Sequence, residues 1–325
     1  MACLSVLWLI MTGNSFDFSE FKLNVKTVST MRYKCNHMWL LLGLCLLLTG
    51  CTSLQLGYVN LAARFADYQH IADLVYDEQS QQHLDVYLAS QPKPSQALIV
   101  FFYGGCWGAC QPLEKEYYRF LAEALTSAGY AVVISDYRLY PNVKFADIMH
   151  DAVSTVKFAI NHAARYGLNP HHVVLMGHSA GAHIAAMLTL NPAYLGQHDY
   201  PNIKGFVGLA GPYDFLPFTE AYQADLFGPA SNYPNSQPVN FVHTEQPPLL
   251  LLHGRKDTIV RLKNLDSLKQ HTLAINGCVS SHIYPELDHK TLIGAFTLPY
   301  QTSEPVLTDT IRFIDGIFSQ TPCPA

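Results

Sequence analysis

Stretches of apolar residues that are typical of buried strands alternate along this chain with stretches that have the spacing of amphipathic helices. The segments ALIVFFY (97–103) and PPLLLLHG (247–254) are continuously apolar, as strands covered on both faces are. Helix-like spacing follows the first of them at 114–129, and a longer helical run at 145–167 ends at a glycine. Alternation of this kind is built from β-α-β units. The sequence therefore predicts an α/β fold in one domain over residues 60–320, with a mainly parallel central sheet and helices on both faces.

The composition narrows the class of protein further. Hydrophobic residues make up 49% of the 325 residues and charged residues only 14%, which supplies a large core and argues against a disordered chain. The net charge is −5 and no basic run stands out, so a nucleic-acid partner is not expected. No obligate protein partner is evident, and no organic cofactor is implied.

The N-terminal segment has the layout of an export signal. Arg32 and Lys34 precede an apolar run over Met38–Thr49, which is too short for a comfortable transmembrane helix. Gly50, a small residue, follows the run. A basic start, an apolar run and a small residue before the cleavage point are typical of a secretory signal. Residues 31–50 are therefore interpreted as a signal peptide, with an uncleaved anchor helix as the alternative.

The residues at the end of this signal suggest a lipid anchor. The sequence LTGC (48–51) resembles a bacterial lipobox, whose cysteine becomes the lipidated first residue of the mature protein. We therefore expect lipidation at Cys51 and a tether over 51–60. Thr52 follows where some sorted lipoproteins have aspartate, which favours an outer-membrane anchor facing the periplasm. Residues 1–30 fit neither interpretation and are a possible over-extension upstream of the true start codon.

The sequence GHSAG (177–181) follows a buried strand and opens a helix. This context distinguishes a nucleophile elbow from a chance G-x-S-x-G match. In such a turn Ser179 stands exposed above the sheet, and the two flanking glycines permit close backbone approach. The positive end of the following helix points toward developing negative charge. We therefore predict Ser179 as a nucleophile; the alternative is a glycine-rich turn that only packs tightly.

A serine nucleophile needs a base, and the base needs an orienting acid. In sheets that carry this turn the partners follow in the order serine, acid, histidine. Asp257 comes directly after the strand PPLLLLHG, and His289 follows the last strand, SSHIYPEL (280–287). The carboxyl ends of parallel strands are where such sheets place their sites. Asp257 and His289 are therefore the predicted acid and base.

Several other acids and histidines compete for these roles. Asp214, in GPYDF, also follows a strand and is the alternative acid. Asp288 and Glu286 flank the predicted base but are too local to reach around and orient it. His178 abuts the serine at the expected substrate pocket, although its side chain should point away at the elbow. Structural roles are expected for three further histidines: His150, His183 and His253.

The loop in FFYGGCWGAC (101–110) follows a buried strand and contains paired glycines. Glycines there allow backbone amides to face a substrate carbonyl, so we assign Gly105 and Cys106 as oxyanion donors. Ala180, directly after the nucleophile, supplies the remaining donor. Trp107 is expected to anchor the loop or line the substrate pocket.

The cysteines of this loop raise three possibilities. Zinc is excluded because no second Cys/His pair of suitable spacing completes a four-ligand set, and no other metal site is predicted. A thioredoxin-like motif is excluded because the spacing is C-x₃-C. Export places the chain in an oxidising compartment, so we predict a Cys106–Cys110 disulfide and a second pair, Cys278–Cys323. Two reduced thiols remain the alternative for the loop pair.

Taken together, these residues resemble the α/β-hydrolase superfamily over about residues 70–320. The similarity is greatest to its carboxylesterase and lipase-like branch, which has an H-G-G-x-W oxyanion motif. Here the motif reads YGGCW (103–107), with Tyr103 where the family has a histidine that braces the loop. Further family-like segments are SDYRLYP (135–141), LAGPYD (209–214) and LLLHGRKDTIV (250–260).

The resemblance implies a serine carboxylesterase that forms an acyl-enzyme on small or medium acyl esters. Two alternatives stay open: an arylformamidase or peptidase-type amide hydrolase using the same triad, and a tethered binding protein without activity.

Overall fold

The computed structural model describes residues 60–324 except 62, 96, 299, 320 and 322. The predicted signal peptide, Cys51 and most of the predicted tether lie outside the described residues. The described residues belong to one compact unit. Within them, no helix combines the length and the apolar character that crossing a bilayer requires.

The described residues form one eight-stranded sheet in the spatial order β1-β2-β4-β3-β5-β6-β7-β8. β1 and β2 pair antiparallel, as do β2 and β4, and all other neighbours are parallel. The strands are β1 (Tyr68–Asp77), β2 (Gln82–Ala89), β3 (Leu98–Phe102), β4 (Ala131–Ser135), β5 (Val173–His178), β6 (Ile203–Leu209), β7 (Leu249–Gly254) and β8 (Val279–Tyr284). The sheet is mainly parallel, as the sequence predicted.

Eight α-helices lie among the described residues. They are α1 (Arg119–Ser127), α2 (Phe145–His162), α3 (Ala180–Leu190), α4 (Gly196–Asp199), α5 (Ala221–Phe227), α6 (Lys263–Ala274), α7 (His289–Gly294) and α8 (Val306–Phe318). A 3₁₀ turn extends α2 to Tyr166, and Gly167 ends it in the left-handed conformation (φ 70°). This is the helix end that the glycine predicted.

Burial explains why the continuously apolar segments became strands. Every residue of β3, β4, β5 and β7 is buried, because these strands lie inside the sheet and are covered on both faces. β1 was not predicted. It is an edge strand with two register shifts and a mixed pattern of exposure, so its sequence lacks clean alternation.

Strand order determines which loops meet. β3, β5, β6, β7 and β8 are consecutive parallel neighbours, so the loops that follow them leave the same edge of the sheet. In the register, Phe102 lies opposite Gly177, and the glycine-rich loop therefore begins beside the serine turn.

Both predicted cysteine pairs are disulfides in the structure. Cys106 and Cys110 close a five-residue loop after β3. Cys278, just before β8, is bonded to Cys323 near the C-terminus. The Ser280 hydroxyl donates to the Pro324 carbonyl at 2.9 Å. The C-terminal segment is thereby joined to the start of β8.

Candidate active site

Ser179 lies in a sharp turn between β5 and α3. Its backbone angles are φ 57° and ψ −124°, a conformation that side chains rarely adopt and that costs on the order of 1–3 kcal/mol. A Cβ on Gly177 would lie 2.3 Å from the Gly181 carbonyl oxygen, and one on Gly181 would lie 2.0 Å from the Phe102 carbonyl oxygen. Only glycine fits at either position, and the tight packing holds the turn.

A chain of hydrogen bonds links the three predicted catalytic residues. His289 Nε2 lies 2.9 Å from Ser179 Oγ, and His289 Nδ1 lies 2.7 Å from Asp257 Oδ2. Since Nδ1–H donates to the carboxylate, Nε2 is left as an acceptor for the serine proton. The structure thus brings together residues that are 110 and 32 positions apart, in the geometry of a nucleophile, base and orienting acid.

The Asp257 carboxylate is buried and accepts hydrogen bonds on both of its oxygens. Its side chain has no solvent exposure, and its second oxygen accepts amide hydrogen bonds from Ile259 at 2.8 Å and Val260 at 2.9 Å. Burial raises the pKa of Asp257, but the hydrogen bond from His289 and the two amides outweigh it, so the pKa lies below its ordinary value. Asp257 therefore stays ionised beside the imidazole.

The competing acids are engaged elsewhere. Asp214 accepts a 2.6 Å hydrogen bond from the Ser267 hydroxyl. Asp288 caps α7 by accepting from the Lys290 and Thr291 amides, and Glu286 pairs with Lys256 at 2.6 Å.

The competing histidines have partners other than the serine. His253 Nε2 donates to the Val260 carbonyl at 3.0 Å, and His183 Nε2 donates to the Ser236 carbonyl at 2.7 Å. His150 is exposed on α2. None of the three is bonded to Ser179 among the described residues.

The assignment of His178 to the substrate pocket was wrong. Its ring packs against that of His289, with centroids 4.7 Å apart, and its Nε2 donates to the His289 carbonyl at 2.9 Å. Burial lowers the pKa of His178 to about 3, with a further contribution from neighbouring His289. Because successive strand residues point to opposite faces, the residue before the elbow turns away from the cavity and supports the base.

The glycine-rich loop has an unusual backbone. Four consecutive residues have positive φ: Gly105, Cys106, Trp107 and Gly108. Within the loop, the Gly108 and Cys110 amides donate to the Gly105 carbonyl, and the Ala109 amide donates to the Cys106 carbonyl. The Gly105 and Cys106 amides donate to no backbone oxygen of the described loops, so they remain available. Their role as oxyanion donors stays a prediction.

Tyrosines brace this loop where the family has a histidine. The Tyr103 hydroxyl turns away from the cavity and donates to Asp136 at 3.1 Å. The Tyr137 hydroxyl donates to the Tyr103 carbonyl at 2.8 Å and lies 3.4 Å from the Gly104 carbonyl. The Tyr103 ring stacks between the rings of Tyr118 and Tyr137. The bracing hydroxyl comes from the neighbouring strand end, which the sequence did not predict.

Ser179 opens onto a cavity of about 250 Å³. Cys106, Trp107 and Ala180 line it beside the serine, as predicted for the oxyanion loop and the pocket; Gly105 is not among the lining residues. Trp107 is buried, with its ring edge-on to those of His183 and Phe227.

The rest of the cavity wall was not predicted residue by residue. One part comes from the loop after β6 and from α5, and includes Pro212, Phe215, Tyr222 and Gln223. The other part follows Asp257, the predicted acid, and comprises Ile259, Val260, Arg261, Lys263 and Asn264. The signal for this second part is its position directly after Asp257, in a loop that has to leave the site-bearing edge of the sheet.

One group of described side chains has the spacing of a metal site, namely Asp77, His150 and Asp151. Arg138 donates to both oxygens of Asp151 at 2.7 and 2.9 Å, so that carboxylate is already neutralised. The serine, histidine and aspartate of the candidate active site are fully engaged with one another and offer no metal-ligand set.

A family model described as BD-FAE matches residues 84–272. This chain belongs to that family. The match includes the glycine-rich loop, the serine turn and Asp257, and it ends before His289. BD-FAE is an α/β-hydrolase esterase family, in agreement with the resemblance found in the sequence.

Curated relatives match over part of their length. The probable isoprenylcysteine alpha-carbonyl methylesterase ICMEL1 of Arabidopsis thaliana is 30% identical over 178 residues, covering 53% of this chain and 36% of that protein. The kynurenine formamidase of Danio rerio is 35% identical over 154 residues, covering 47% of this chain and 50% of that protein. The chain therefore spans between about a third and a half of these relatives.

Solved structures establish the fold. Esterase B from Lactobacillus rhamnosis, inhibited by a tributyrin phosphonate, superposes with a TM-score of 0.71 over 90% of this chain and 96% of its own, at 17% identity. The propionate-bound esterase 2 of Thermogutta terrifontis gives 0.62 over 78% and 95%, at 22% identity. The fold is that of the α/β-hydrolases.

Proposed function

We propose that this protein is a serine hydrolase that cleaves carboxylic esters through an acyl-enzyme. One observation carries the proposal: the hydrogen-bonded chain from Asp257 through His289 to Ser179 ends at a serine that lines a cavity. Membership of an esterase family supports the same reaction class.

Each residue has one role in the proposed reaction. Ser179 Oγ attacks the ester carbonyl carbon while His289 Nε2 takes the hydroxyl proton, and Asp257 stabilises the imidazolium. The carbonyl oxygen becomes an oxyanion facing the amides of Gly105, Cys106 and Ala180. As the intermediate collapses, the C–O bond breaks and His289 returns the proton to the leaving alcohol. Water then attacks the acyl-serine by the same route, releasing the acid and restoring Ser179.

The cavity limits the substrate. A volume of about 250 Å³ is below the roughly 300–1,000 Å³ of pockets that bind drug-sized ligands, which favours small or medium acyl groups. The Thermogutta esterase 2, a structural neighbour, has been solved with propionate and with butyrate, and acyl groups of that length are the first to test.

The test is hydrolysis of 4-nitrophenyl esters from acetate to octanoate. The purified protein should show its highest kcat/KM on the short esters, and Ser179→Ala should remove turnover without changing the circular dichroism spectrum or the melting temperature by much. Ser127→Ala, an exposed serine at the end of α1, is the matched control and should keep full activity. Turnover that survives in Ser179→Ala would refute the proposal.

The second candidate is hydrolysis of an amide, and the kynurenine formamidase relative of Danio rerio favours it. The same three residues would act on an N-formyl group, with His289 donating its proton to a leaving amine. N-formylkynurenine assayed beside the esters separates the two candidates, since a much higher kcat/KM on the formamide would identify an amide hydrolase.

We also propose that the mature protein begins at a lipidated Cys51 and is anchored in the cell envelope, in the outer membrane facing the periplasm. The order of basic start, apolar run and LTGC supports this, as do two disulfides, which persist in oxidising compartments. More than one acyl chain would be needed for stable anchoring, at about 0.8 kcal/mol per buried CH₂. Mass spectrometry of the mature N-terminus is the test; an unmodified start at Met1 or Met31 would refute it.

A further inference from the structure

Two cationic residues line the cavity onto which Ser179 opens. Arg261 and Lys263 both belong to the wall that follows the catalytic acid, and both are solvent-exposed. Among the described residues that line the cavity, none is an aspartate or a glutamate. The cavity therefore has a local positive charge, although the chain as a whole carries a net charge of −5.

The aspartates with known partners around the cavity are bonded to groups other than these cations. Asp225, on α5, is paired with Lys144 at 2.6 Å, and Asp214 accepts from a serine hydroxyl. Asp257 is fully buried and bonded to the base. No ion pair within 4 Å joins Arg261 or Lys263 to a carboxylate in the described part of the chain.

The backbone that carries the two cations is fixed to its surroundings. The buried Asn264 donates from its backbone amide and from its side-chain amide to the Arg261 carbonyl, both at 3.0 Å. The Asn264 side-chain oxygen in turn accepts from the Tyr213 and Asp214 amides at 2.9 Å. Asn264 thus joins the loop after β7 to the loop after β6, and these bonds fix the distance between the two walls of the cavity.

We propose that the natural substrate carries a carboxylate, which Arg261 and Lys263 bind while Ser179 attacks the scissile bond; this rests on the proposed ester hydrolysis. A guanidinium presents a fork of donors that matches a carboxylate, and a lysine adds a point charge. The chain as a whole carries a net negative charge, so the two cations give the cavity a preference for an anionic group that the net charge would not.

Matched ester pairs test the proposal on both sides of the scissile bond. The acyl side is tested with the mono-4-nitrophenyl ester of hexanedioic acid against 4-nitrophenyl hexanoate. The leaving-group side is tested with 4-acetoxybenzoate against methyl 4-acetoxybenzoate. In at least one pair the anionic ester should have the higher kcat/KM, by about 2- to 25-fold for two exposed ion pairs. The preference should decline as NaCl is raised from 0.05 to 1 M.

Charge-removing variants identify the source of the preference. Arg261→Gln and Lys263→Gln should each lower the ratio of anionic to neutral kcat/KM by about 1.4- to 5-fold, and the double variant should lower it further. Lys157→Gln removes one exposed charge from α2, outside the cavity wall, and should leave the ratio unchanged. Arg261→Lys should recover part of the preference, because it restores the charge without the fork.

The outcomes separate this proposal from the one on which it rests. If neutral esters are hydrolysed in a Ser179-dependent way but neither anionic ester is preferred, the carboxylate proposal is refuted and ester hydrolysis stands. If the ratio falls equally in Lys157→Gln, the effect is that of net charge and the assignment to Arg261 and Lys263 is refuted. If no ester is hydrolysed, calorimetric titrations with 4-hydroxybenzoate and with its methyl ester test carboxylate binding by itself. Tighter binding of the carboxylate that depends on Arg261 supports the carboxylate proposal, and equal binding of the two compounds refutes it.

Discussion

Removing the Tyr137 hydroxyl should disturb the oxyanion loop without touching the triad. Tyr137 is 2% exposed, and its hydroxyl donates to the Tyr103 carbonyl at 2.8 Å. Tyr103 immediately precedes Gly104, where an added Cβ would lie 3.0 Å from Ser179 Cβ. Tyr137→Phe keeps the stacked rings but loses the donor that fixes the start of the loop.

The expected magnitude follows from the burial of this bond. A buried polar group left without its partner costs about 1–3 kcal/mol. For a domain of this size each kcal/mol lowers the melting temperature by about 2–4 °C, so a decrease of roughly 2–12 °C is expected. Complete loss of one oxyanion donor lowers kcat on the order of 10²–10³-fold. A loop that is displaced but not lost should lower kcat by about 10-fold with little change in KM, because the donors act on charge formed in the transition state.

The assay is steady-state hydrolysis of 4-nitrophenyl butyrate together with thermal unfolding. Tyr130→Phe is the matched control: Tyr130 is also buried, and its hydroxyl donates to Asp315 at 2.7 Å. That variant should lose stability and keep its kcat. If Tyr137→Phe loses stability but keeps its kcat, the hydroxyl supports the fold and does not position the loop. If neither quantity changes, the reasoning about the bracing bond is wrong.

Three further predictions concern the acid, the loop disulfide and the effect of pH. Asp257→Asn should lower kcat on the order of 10⁴-fold and Asp214→Asn by less than about 10-fold, because Asp214 is bonded to a serine away from the base; a larger loss in Asp214→Asn would reverse the assignment of the acid. Reduction of Cys106–Cys110, followed by thiol counting, should lower kcat because the bridge closes the loop that carries the predicted oxyanion donors; unchanged turnover after full reduction would contradict that role. Burial lowers the pKa of His178 from 6.5 to about 3 in the folded state. Between these two pH values the unfolded chain binds more protons than the folded chain, so the free energy of unfolding decreases as the pH falls. The loss is roughly 2 kcal/mol at pH 5. Urea unfolding at pH 7 and pH 5 should show this loss, and His178→Asn should reduce it; an equal pH dependence in that variant would assign the effect to other groups.

The sequence determined the architecture because its signals are local. β3 and β7 are buried along their whole length, and their sequences, LIVFF and LLLLHG, are almost entirely apolar. Apolar runs of this kind are typical of strands inside a parallel sheet. Ser179, Asp257 and His289 could be predicted because each lies within five residues after the end of a strand, and parallel strands place their carboxyl ends at one edge. The close backbone approach at Gly177 and Gly181 could be predicted because the tight turn excludes any larger side chain.

Tertiary structure decided the features that depend on which residues meet across the fold. Neither the turn of His178 onto the back of the base nor the Tyr137 hydroxyl on the Tyr103 carbonyl has a local signature, since each joins segments whose approach is determined by strand order. The same holds for Arg261 and Lys263, which are ordinary surface cations by sequence. They line the cavity onto which Ser179 opens, in a loop that Asn264 joins to the loop after β6. A hydrogen bond forms only within a range of donor–acceptor distances that is a few tenths of an ångström wide. Only the packed chain brings distant segments to within that range.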